Sequence, residues 1–547
     1  PAGAEEGTVK TLAAFEVAAL SRSLELCPDP VALYASLSDG GRGRDTLLLE
    51  SADQSTQSGD KSLVMSRAAL RLTGRFTLDG QRQVTLTALG PNGDNLLGPL
   101  VERLSEQAEL LSRDEHEATL GYPPPPTGDE ETRMRAPSVL DAVRAAVLSL
   151  KVVGGEAPLP PLCAGSIAYD LLGLYEALPP AKTDALGWPD FELWLAEELV
   201  WIQHQSRRAV ALRFVFGGAR AEEAYHDATQ GLAALVARIR DVGTGTARPT
   251  PDRVRRDDDS EVDQDDASYR QTVTRLKTHI TAGDVFQIVP SRTFRRPCPN
   301  PLDAYARLRA LNPSPYMFFL HGERGQLFGA SPESALTVKG GTRVGEPRQV
   351  RINPIAGTRP RGRDAAGAID TDLDARIEAE LRLDQKEVAE HMMLVDLARN
   401  DVARVSVPGT RRVEQLLQVV RYSHVMHLVS LVAGELRPDL DALHAYVATM
   451  NMGTLVGAPK IEAAKLLRAH EPSRRGPYGG AVGYLTAEGE LDTCIVIRSA
   501  TVRDGVAHVR AGGGVVHDSE PQAEADETRR KAGAVLAALR AAEEDAS

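Results

Sequence analysis

The first half of the chain contains segments whose apolar and polar residues follow the patterns expected of β-strands and of helices. The segment 67–89 alternates on both sides of the Asp79-Gly80 pair, which is a common sequence for a hairpin turn. Residues 45–53 and 192–217 indicate further strands, whereas residues 138–150 have a helical period. The first half therefore predicts a mixed region with several strands.

The periodicity becomes sharper from residue 268 onward. Residues 268–284 predict a helix with apolar side chains on one face and Gly283 at its end. A long charged helix is predicted over 373–405, with a break near Asp384, and strand-like runs precede it. Hairpins and grouped helices in this arrangement favour an α+β fold over a regular βαβ alternation.

The length of the chain predicts more than one hydrophobic core. It has 547 residues, whereas single cores usually organise about 100–200. The stretch 241–266 lacks periodicity and is rich in Gly, Thr, Pro and Asp, which is typical of a linker or an exposed loop. We therefore divide the chain into an N-terminal region, 1–260, and a C-terminal region, 261–547.

Composition narrows the classes of protein. Apolar residues make up 42% and charged residues 25% of the chain, as in ordinary soluble proteins. The net charge of −13 argues against a nucleic-acid binder, which needs a clustered basic surface, but it allows a local positive pocket for an anionic substrate. Four cysteines without a C-x-x-C pair fit a reducing compartment. Because no apolar run approaches the ~20 residues of a membrane span and no signal segment is visible, we expect a cytoplasmic location and no membrane contact.

Two pairs of glutamates lie on predicted helices with i, i+3 spacing. Glu387 and Glu390 share a face of the long helix, and Glu524 and Glu527 share a face of the last helix, with Lys531 on the same stripe. If the two faces meet, their carboxylates could hold a hard cation such as Mg2+, which prefers oxygen ligands and a substrate oxyanion. The alternative is that both pairs are simply solvated helix faces.

Other candidate residues surround glycine-rich segments. Gly512, Gly513 and Gly514 interrupt an apolar run, which permits close approach to a ligand or marks a tight bend. Tyr478 lies in a second glycine-dense strand, and Arg498 is predicted inside an apolar strand. A buried guanidinium needs a partner, so Arg498 binds either a carboxylate ligand or a structural carboxylate.

Acid–base candidates are fewer. His427, like His424, lies in a mostly apolar stretch, where a histidine is either a core residue or a general acid or base. Glu333 follows a strand, where burial could raise its pKa enough for it to donate a proton. The turn "NPIAGTRPRG" suggests an anion site, although an alanine, Ala356, precedes its Gly-Thr pair. The chain has no phosphate-binding loop, dinucleotide fingerprint or nucleophile elbow.

Ten motifs, dense from about 268 to 540, resemble the large subunit, component I, of anthranilate synthases, which are chorismate-utilising enzymes. They are "GDVFQIVPSR", "NPSPYMFF", "GASPES", "PIAGTRPRG", "EHMMLVDLARND", "YSHVMHLVS", "NMGTLVGAPK", "GPYGGAVGY", "DTCIVIRSA" and "AGGGVVHDSEPQAEADET". The resemblance implies an α+β fold in which large antiparallel sheets form a sandwich flanked by helices. It also implies Mg2+-dependent conversion of chorismate and ammonia to anthranilate and pyruvate.

The resemblance also assigns roles to residues. Mg2+ would bind Glu390 and Glu527, with Glu387 and Glu524 nearby. The catalytic residues would be Glu333, as general acid on the departing 4-hydroxyl, and His427, which would assist loss of pyruvate; Thr454 also fits the full reaction. The substrate would contact a larger set of residues: Gly357, Thr358, Tyr478, Arg498, Gly512, Gly513, Gly514 and Lys531.

Two positions separate branches of the resembled family. Members that add water carry a lysine base where this chain has Gln287, and an amide cannot deprotonate water. Members that make aminodeoxychorismate resemble "PIKGT", with a lysine that attacks the ring, where this chain has Ala356. Gln287 and Ala356 together favour direct attack by ammonia at the neighbouring ring carbon.

The family pattern further implies partners and an inhibitor. Ammonia would come from a glutamine amidotransferase subunit in a heterotetramer, since this chain shows no glutaminase site. The N-terminal region would sense tryptophan and contact the partner. The tryptophan-binding candidates are Glu50, Ser51, Pro315, Tyr316 and Met317.

Three functions are compatible with these residues. The first is the large subunit of anthranilate synthase. The second is an enzyme of the aminodeoxyisochorismate synthase type, which aminates chorismate without eliminating pyruvate. The third is a catalytically silent, tryptophan-binding regulatory subunit. The presence of Glu390, Glu527, His427 and Arg498 argues against the third.

Overall fold

The computed structural model describes most of the chain. The described residues are 12–51, 61–76, 80–155, 157–180, 182–243, 260–341, 346–364, 367–422 and 425–545. His424, Asp79 of the predicted hairpin turn, and most of the stretch 241–266 lie outside them.

Strands dominate the described part of the first half. They are β1 (Glu16–Leu24), β2 (Thr46–Glu50), β3 (Lys61–Phe76), β4 (Arg82–Ala88), β5 (Glu109–Arg113), β6 (Glu117–Tyr122), β7 (Lys151–Gly154), β8 (Leu162–Ile167), β9 (Phe191–Gln203) and β10 (Arg208–Phe216). β3 pairs with β4 as the hairpin pattern predicted, and β9 pairs with β10.

Shorter strands follow in the second half. They are β11 (Glu261–Val262), β12 (Gln287–Ile288), β13 (Ser291–Pro297), β14 (Tyr316–His321), β15 (Gln326–Ser331), β16 (Ser334–Lys339), β17 (Gln349–Ile352), β18 (Ile355–Pro360), β19 (Arg412–Arg421), β20 (Val425–Glu435), β21 (Gly457–Ala458), β22 (Ala481–Thr486), β23 (Leu491–Ile495), β24 (Ser499–Arg503) and β25 (Val506–Gly512).

The helices lie between and outside the strands. They are α1 (Pro30–Leu37), α2 (Pro91–Leu104), α3 (Glu130–Arg135), α4 (Leu140–Val147), α5 (Ala221–Val242), α6 (Asp266–Ala282), α7 (Pro301–Leu311), α8 (Thr371–Leu383), α9 (Gln385–Val405), α10 (Ala442–Thr449), α11 (Gly453–Val456), α12 (Lys460–His470) and α13 (Pro521–Glu544), with a 3-10 turn at Tyr169–Leu174. No helix of the described residues is long and apolar enough to cross a bilayer.

Large antiparallel sheets and grouped helices confirm the predicted α+β class. Among the described strands, β1 and β7 form the one parallel pair. β2 lies between β3 and β14, and β8 pairs with β22, so strands from both sides of residue 260 share one hydrogen-bonded network. The functional division of the chain at that residue stays a prediction.

Local sequence explains the helix that carries one glutamate pair. The predicted break near Asp384 is confirmed, because α8 ends at Leu383 and α9 begins at Gln385. The Asp384 carboxylate accepts hydrogen bonds from the backbone N–H groups of Lys386 and Glu387, at 3.0 and 3.2 Å. This cap fixes the first turn of α9 and therefore the direction of Glu387.

The largest hydrophobic core extends under the candidate site. Its buried members include Ile288, Leu455, Tyr478 and Val515, which are close in sequence to predicted site residues. Because a close-packed interior resists displacement, these residues hold the neighbouring site residues in fixed positions.

Candidate active site

The two predicted acidic helix faces come together. Gln287 of β12 donates from Nε2 to Oε1 of Glu390 on α9, at 3.0 Å. Burial raises the pKa of Glu390, and the carboxylates of Glu387 and of Glu527 on α13 raise it further. The carboxylates of α9 and α13 therefore lie close enough to influence one another.

Lys531 compensates part of this negative charge. Its ammonium lies 2.7 Å from Oε1 of Glu527, one helical turn away, and donates to the carbonyl of Gly512 at 3.0 Å. Burial alone would raise the pKa of Glu527, but Lys531 lowers it overall. The pKa of Glu524 is raised by burial and by Glu527. Lys531 therefore neutralises part of the charge of the α13 carboxylates.

The donor set fits Mg2+ bound together with a substrate. Within the described ranges, no three His, Cys, Asp or Glu side chains converge closely enough to enclose a metal ion alone. However, Oε2 of Glu524 and Oε1 of Gln287 are buried oxygens without a hydrogen-bond partner among the described residues. Mg2+ commonly takes only one or two carboxylates and completes its shell with water and substrate oxygens.

The glycine run leaves space beside these carboxylates. A Cβ on Gly513 would lie 2.6 Å from Oε2 of Glu524, and one on Gly514 would lie 2.7 Å from Nε2 of Gln287. A Cβ on Gly512 would lie 2.5 Å from the carbonyl oxygen of Pro290. A larger residue would displace the side chain of Glu524 or Gln287 at positions 513 and 514 and the backbone at Pro290 at position 512, which explains the three consecutive glycines.

Glu333 is buried and hydrogen-bonded to a second predicted residue. Thr454 Oγ1 donates to Oε1 of Glu333 at 3.1 Å. Burial raises the pKa of Glu333 to about 7, although Thr454, Lys531 and Arg498 act in the opposite direction. A carboxyl group with this pKa is partly protonated near neutral pH and can donate a proton.

His427 meets Thr358 because of strand register. β18 and β20 are antiparallel, and Thr358 is the partner of His427. The Thr358 hydroxyl and Nδ1 of His427 are 2.9 Å apart. Burial lowers the pKa of His427 to about 4, with a further contribution from Arg498. The imidazole is therefore neutral at physiological pH and can accept a proton.

Arg498 corrects one prediction from the sequence. It was expected inside a strand, but β23 ends at Ile495 and β24 begins at Ser499. Arg498 lies in the break between them and has a left-handed backbone, with φ of 51°. Its guanidinium has no hydrogen bond or ion pair with a described residue, and burial lowers its pKa. Because of this break, Arg498 is not part of either strand. Its guanidinium interacts electrostatically with Tyr478, Glu527 and Glu333.

The Gly-Thr turn is held by arginine pairs. Gly357 has φ of 69°, a conformation that favours glycine, and it forms a bulge between Ala356 and Thr358 in β18. Arg359 donates to Glu387 at 3.0 Å, whereas Arg361 makes a two-pronged pair with Asp374 at 2.9 and 2.8 Å. Both arginines support the loop.

The predicted tryptophan residues, here called the second cluster, lie where the end of β2 meets the start of β14, although Tyr316 packs against the largest core and Met317 lies in another. Glu50 of β2 is the register partner of Met317 of β14, and Pro315 and Tyr316 precede Met317. Glu50 is buried, accepts from Tyr305 at 2.5 Å and pairs with Arg309 at 3.0 Å. The Ser51 hydroxyl is buried and has no hydrogen-bond partner among the described residues. Ser51 is thus the group of this cluster with unused hydrogen-bonding capacity.

A family model described as chorismate binding enzyme matches residues 114–537 of this chain. The chain belongs to this chorismate-binding enzyme family. It is 49% identical to anthranilate synthase component 1 of Vibrio cholerae over 538 residues, covering 97% of both chains. It is 48% identical to anthranilate synthase component 1 of Escherichia coli over 512 residues, covering 93% of this chain and 94% of that one.

A solved structure has the same fold. Anthranilate synthase component I from Streptococcus pneumoniae superimposes with a TM-score of 0.66 at 28% identity, covering 87% of this chain and 92% of that chain. Among members of this family, the chain is therefore placed with the component 1 proteins.

Sequence reasoning missed residues that hold the site from behind. Tyr422 packs edge-on against His427, with ring centroids 5.5 Å apart, and its carbonyl accepts from Arg361 at 2.6 Å. Glu471 and Arg475 form a buried pair beside Tyr478. The signal available in the sequence was the charged stretch "HEPSRR" directly before a glycine-rich segment.

Proposed function

We propose that this chain is the large subunit of an anthranilate synthase, converting chorismate and ammonia to anthranilate and pyruvate. The observation that carries the proposal is the amide of Gln287 beside Glu390, at 3.0 Å. An amide cannot act as a base toward water, but its free Oε1 can accept a hydrogen bond from ammonia. The identity of 49% to an anthranilate synthase component 1 supports the same function.

Glu333 and His427 divide the proton transfers. Glu333, with a pKa of about 7, donates a proton to the departing 4-hydroxyl. Neutral His427 accepts a proton in the second step, when pyruvate leaves and the ring becomes aromatic. Thr454 and Thr358 orient these two side chains through the hydrogen bonds described above. Opposite pKa shifts of an acid and a base suit this division.

Cationic and neutral donors hold the substrate. Arg498 and Tyr478 bind the carboxylate of the substrate side chain, for which a guanidinium that makes no ion pair with a described residue is suited. Lys531 also faces the anionic substrate, and the backbone of Gly357, Thr358 and Gly512–Gly514 lines the ring.

Glu390 and Glu527 would hold Mg2+, with Glu387 and Glu524 beside them. When bound, the ion supplies positive charge that stabilises electron density drawn toward the ring carboxylate. The closeness of Glu390 to Glu387 and Glu527, and the buried Oε2 of Glu524 without a hydrogen-bond partner among the described residues, support this assignment.

Ammonia is supplied by a glutamine amidotransferase subunit, as the names of the component 1 relatives suggest. Tryptophan binds at the seam between β2 and β14 and inhibits the enzyme. The buried Ser51 hydroxyl, which has no hydrogen-bond partner in the described part of the chain, supports a ligand at that seam. The reaction is accordingly the first committed step toward tryptophan.

A fluorescence assay for anthranilate tests the proposal. The purified chain is incubated with chorismate, Mg2+ and ammonium at high pH, and the product mass is checked. We expect anthranilate with ammonium but not with glutamine alone. A product that retains the pyruvyl group would instead identify an enzyme that stops after amination. Absence of turnover would favour a silent regulatory subunit.

A further inference from the structure

A buried charge network lies behind Tyr478. It consists of Glu471, Arg475 and Arg510, joined through Ser291, and the exposed fraction of these residues is 4%, 2%, 7% and 1%. Such groups need complete hydrogen bonding, because an unpaired buried charge costs several kcal/mol.

Glu471 is the centre of the network. Its Oε1 accepts from the backbone N–H of Ser291 at 2.9 Å, from the Ser291 hydroxyl at 2.7 Å and from Arg475 at 2.7 Å. Its Oε2 accepts from Arg475 at 2.8 Å and from Arg510 at 3.0 Å. Both carboxylate oxygens are therefore used within the network.

The arginines extend the network to segments that carry site residues. Arg475 donates to the carbonyls of Leu455 and Val289, both at 2.6 Å. Leu455 follows Thr454, the partner of Glu333, and Val289 lies two residues after Gln287. The Arg475 guanidinium thus hydrogen-bonds to two backbone segments, one next to Thr454 and one next to Gln287.

Arg510 and Ser291 reach the glycine run. Arg510 donates to the Ser291 hydroxyl at 2.8 Å and lies two residues before Gly512 on β25. Ser291 is the register partner of Gly512. The network therefore also fixes the strand end from which Gly512–Gly514 continue.

The network contains two guanidinium groups and one carboxylate. The Arg475 guanidinium carbon is 5.8 Å from the ring centroid of Tyr478 and 4.5 Å from that of Tyr169. Burial raises the pKa of Tyr478, and Glu471 adds to the rise, whereas Arg475, Arg510 and Arg498 oppose it. Surplus positive charge beside a phenol makes its hydroxyl a stronger hydrogen-bond donor to an anion.

We propose that Glu471, Arg475 and Arg510 are positioning residues for the reaction, which align Thr454, Gln287 and the glycine run and place positive charge behind Tyr478. This inference rests on the proposed function of the site. Buried ion pairs seldom make a protein more stable than apolar residues of similar size would. Alignment of several segments therefore explains this buried network better than a contribution to stability does.

Two substitutions of Arg475 separate charge from geometry. Arg475→Lys keeps the charge but loses the fork that reaches Leu455 and Val289, whereas Arg475→Met loses both and leaves Glu471 paired with Arg510. The matched controls are Arg213→Lys and Arg213→Met, because Arg213 is 1% exposed and pairs with Glu198 at 2.6 Å in the N-terminal sheet.

The KM for chorismate is the decisive kinetic readout, because it does not depend on the fraction of folded enzyme. We expect KM to rise by about tenfold in Arg475→Met and by less in Arg475→Lys. The Arg213 variants should keep the KM of the wild type. A KM that is unchanged in both Arg475 variants would overturn the inference.

Hydrogen exchange tests the alignment independently of turnover. In Arg475→Lys we expect faster amide exchange at residues 287–291, 453–456 and 511–515, and not in the Arg213 controls. If the wild-type enzyme made no anthranilate, the proposed function would be wrong. The exchange rates would still show whether the network aligns these segments. Should Arg475→Lys not fold, Ser291→Ala is expected to give the same pattern more weakly, and wild-type exchange in that variant would contradict it.

Discussion

At the scale of single residues, the site depends on opposite shifts of two titratable groups. Glu333 has a pKa raised to about 7 and His427 one lowered to about 4, in both cases chiefly by burial. Near neutral pH the carboxyl group therefore still carries a proton in part of the molecules, while the imidazole is neutral. The site thus holds a proton donor and a proton acceptor at the same pH.

The pH profile should show the Glu333 titration. The acid form is lost as the pH rises through about 7, so kcat at constant free ammonia should fall above that pH. Glu333→Gln should lower kcat by about 10²–10⁴-fold and abolish this limb. In Thr454→Val, loss of a hydrogen bond that lowers the pKa should move the limb to higher pH. A limb unchanged in Thr454→Val would argue against Glu333 as its source.

Ala356 tests how closely the bulged turn approaches the substrate. It lies opposite Leu428, next to the bulge at Gly357. Ala356→Lys would bring an amine and added volume to this turn, so we expect loss of ammonia-dependent anthranilate formation, measured by fluorescence. Ala356→Ser is the small control and should retain most activity. Full activity in Ala356→Lys would mean that position 356 does not face the substrate.

At the scale of elements, the proposed Mg2+ would offset the repulsion of Glu390 on α9 by Glu527 on α13. Mg2+ should therefore raise the thermal unfolding temperature of the free enzyme, since a ligand bound only by the folded state stabilises it. Glu390→Gln should reduce this increase, whereas Glu462→Gln, on α12, should not. The measurement is calorimetry with MgCl2 against NaCl of equal ionic strength. An equal increase in Glu390→Gln would contradict the assignment.

Local sequence patterns predicted the individual helices and strands better than they predicted the contacts between them. The break at Asp384 and the shared faces of the glutamate pairs follow from helical period and capping, which are local. The contact of Thr358 with His427 depends on the register of β18 against β20, over 69 residues of sequence. The interruption at Arg498 was hidden because its flanking residues form one apolar run. Tertiary packing decides such points, and it was not visible in the sequence.

At the scale of the whole molecule, one run of paired strands connects the predicted tryptophan residues with the candidate active site. β2 pairs with β14, β14 with β15, and β15 with β24, which begins directly after Arg498. The backbone N–H of Ala330 donates to the carbonyl of Arg498 at 3.0 Å, and Glu333 follows three residues later. A ligand at the β2–β14 seam would therefore lie two strand pairings away from Arg498, the residue proposed to bind the substrate carboxylate.

Tryptophan inhibition should depend on Ser51 through this connection. A ligand inhibits only if it binds one arrangement of the strands more tightly than another. If the buried Ser51 hydroxyl supplies a hydrogen bond to tryptophan, Ser51→Ala should raise the inhibitory concentration by about tenfold, the worth of one bond to a charged group. The control is Ser66→Ala on β3, whose hydroxyl pairs with Glu198 at 2.7 Å. Tryptophan titration of anthranilate formation and calorimetric tryptophan binding measure the effect. Equal weakening in both variants would point to general loosening of the sheet, and unchanged inhibition in Ser51→Ala would place the tryptophan site elsewhere.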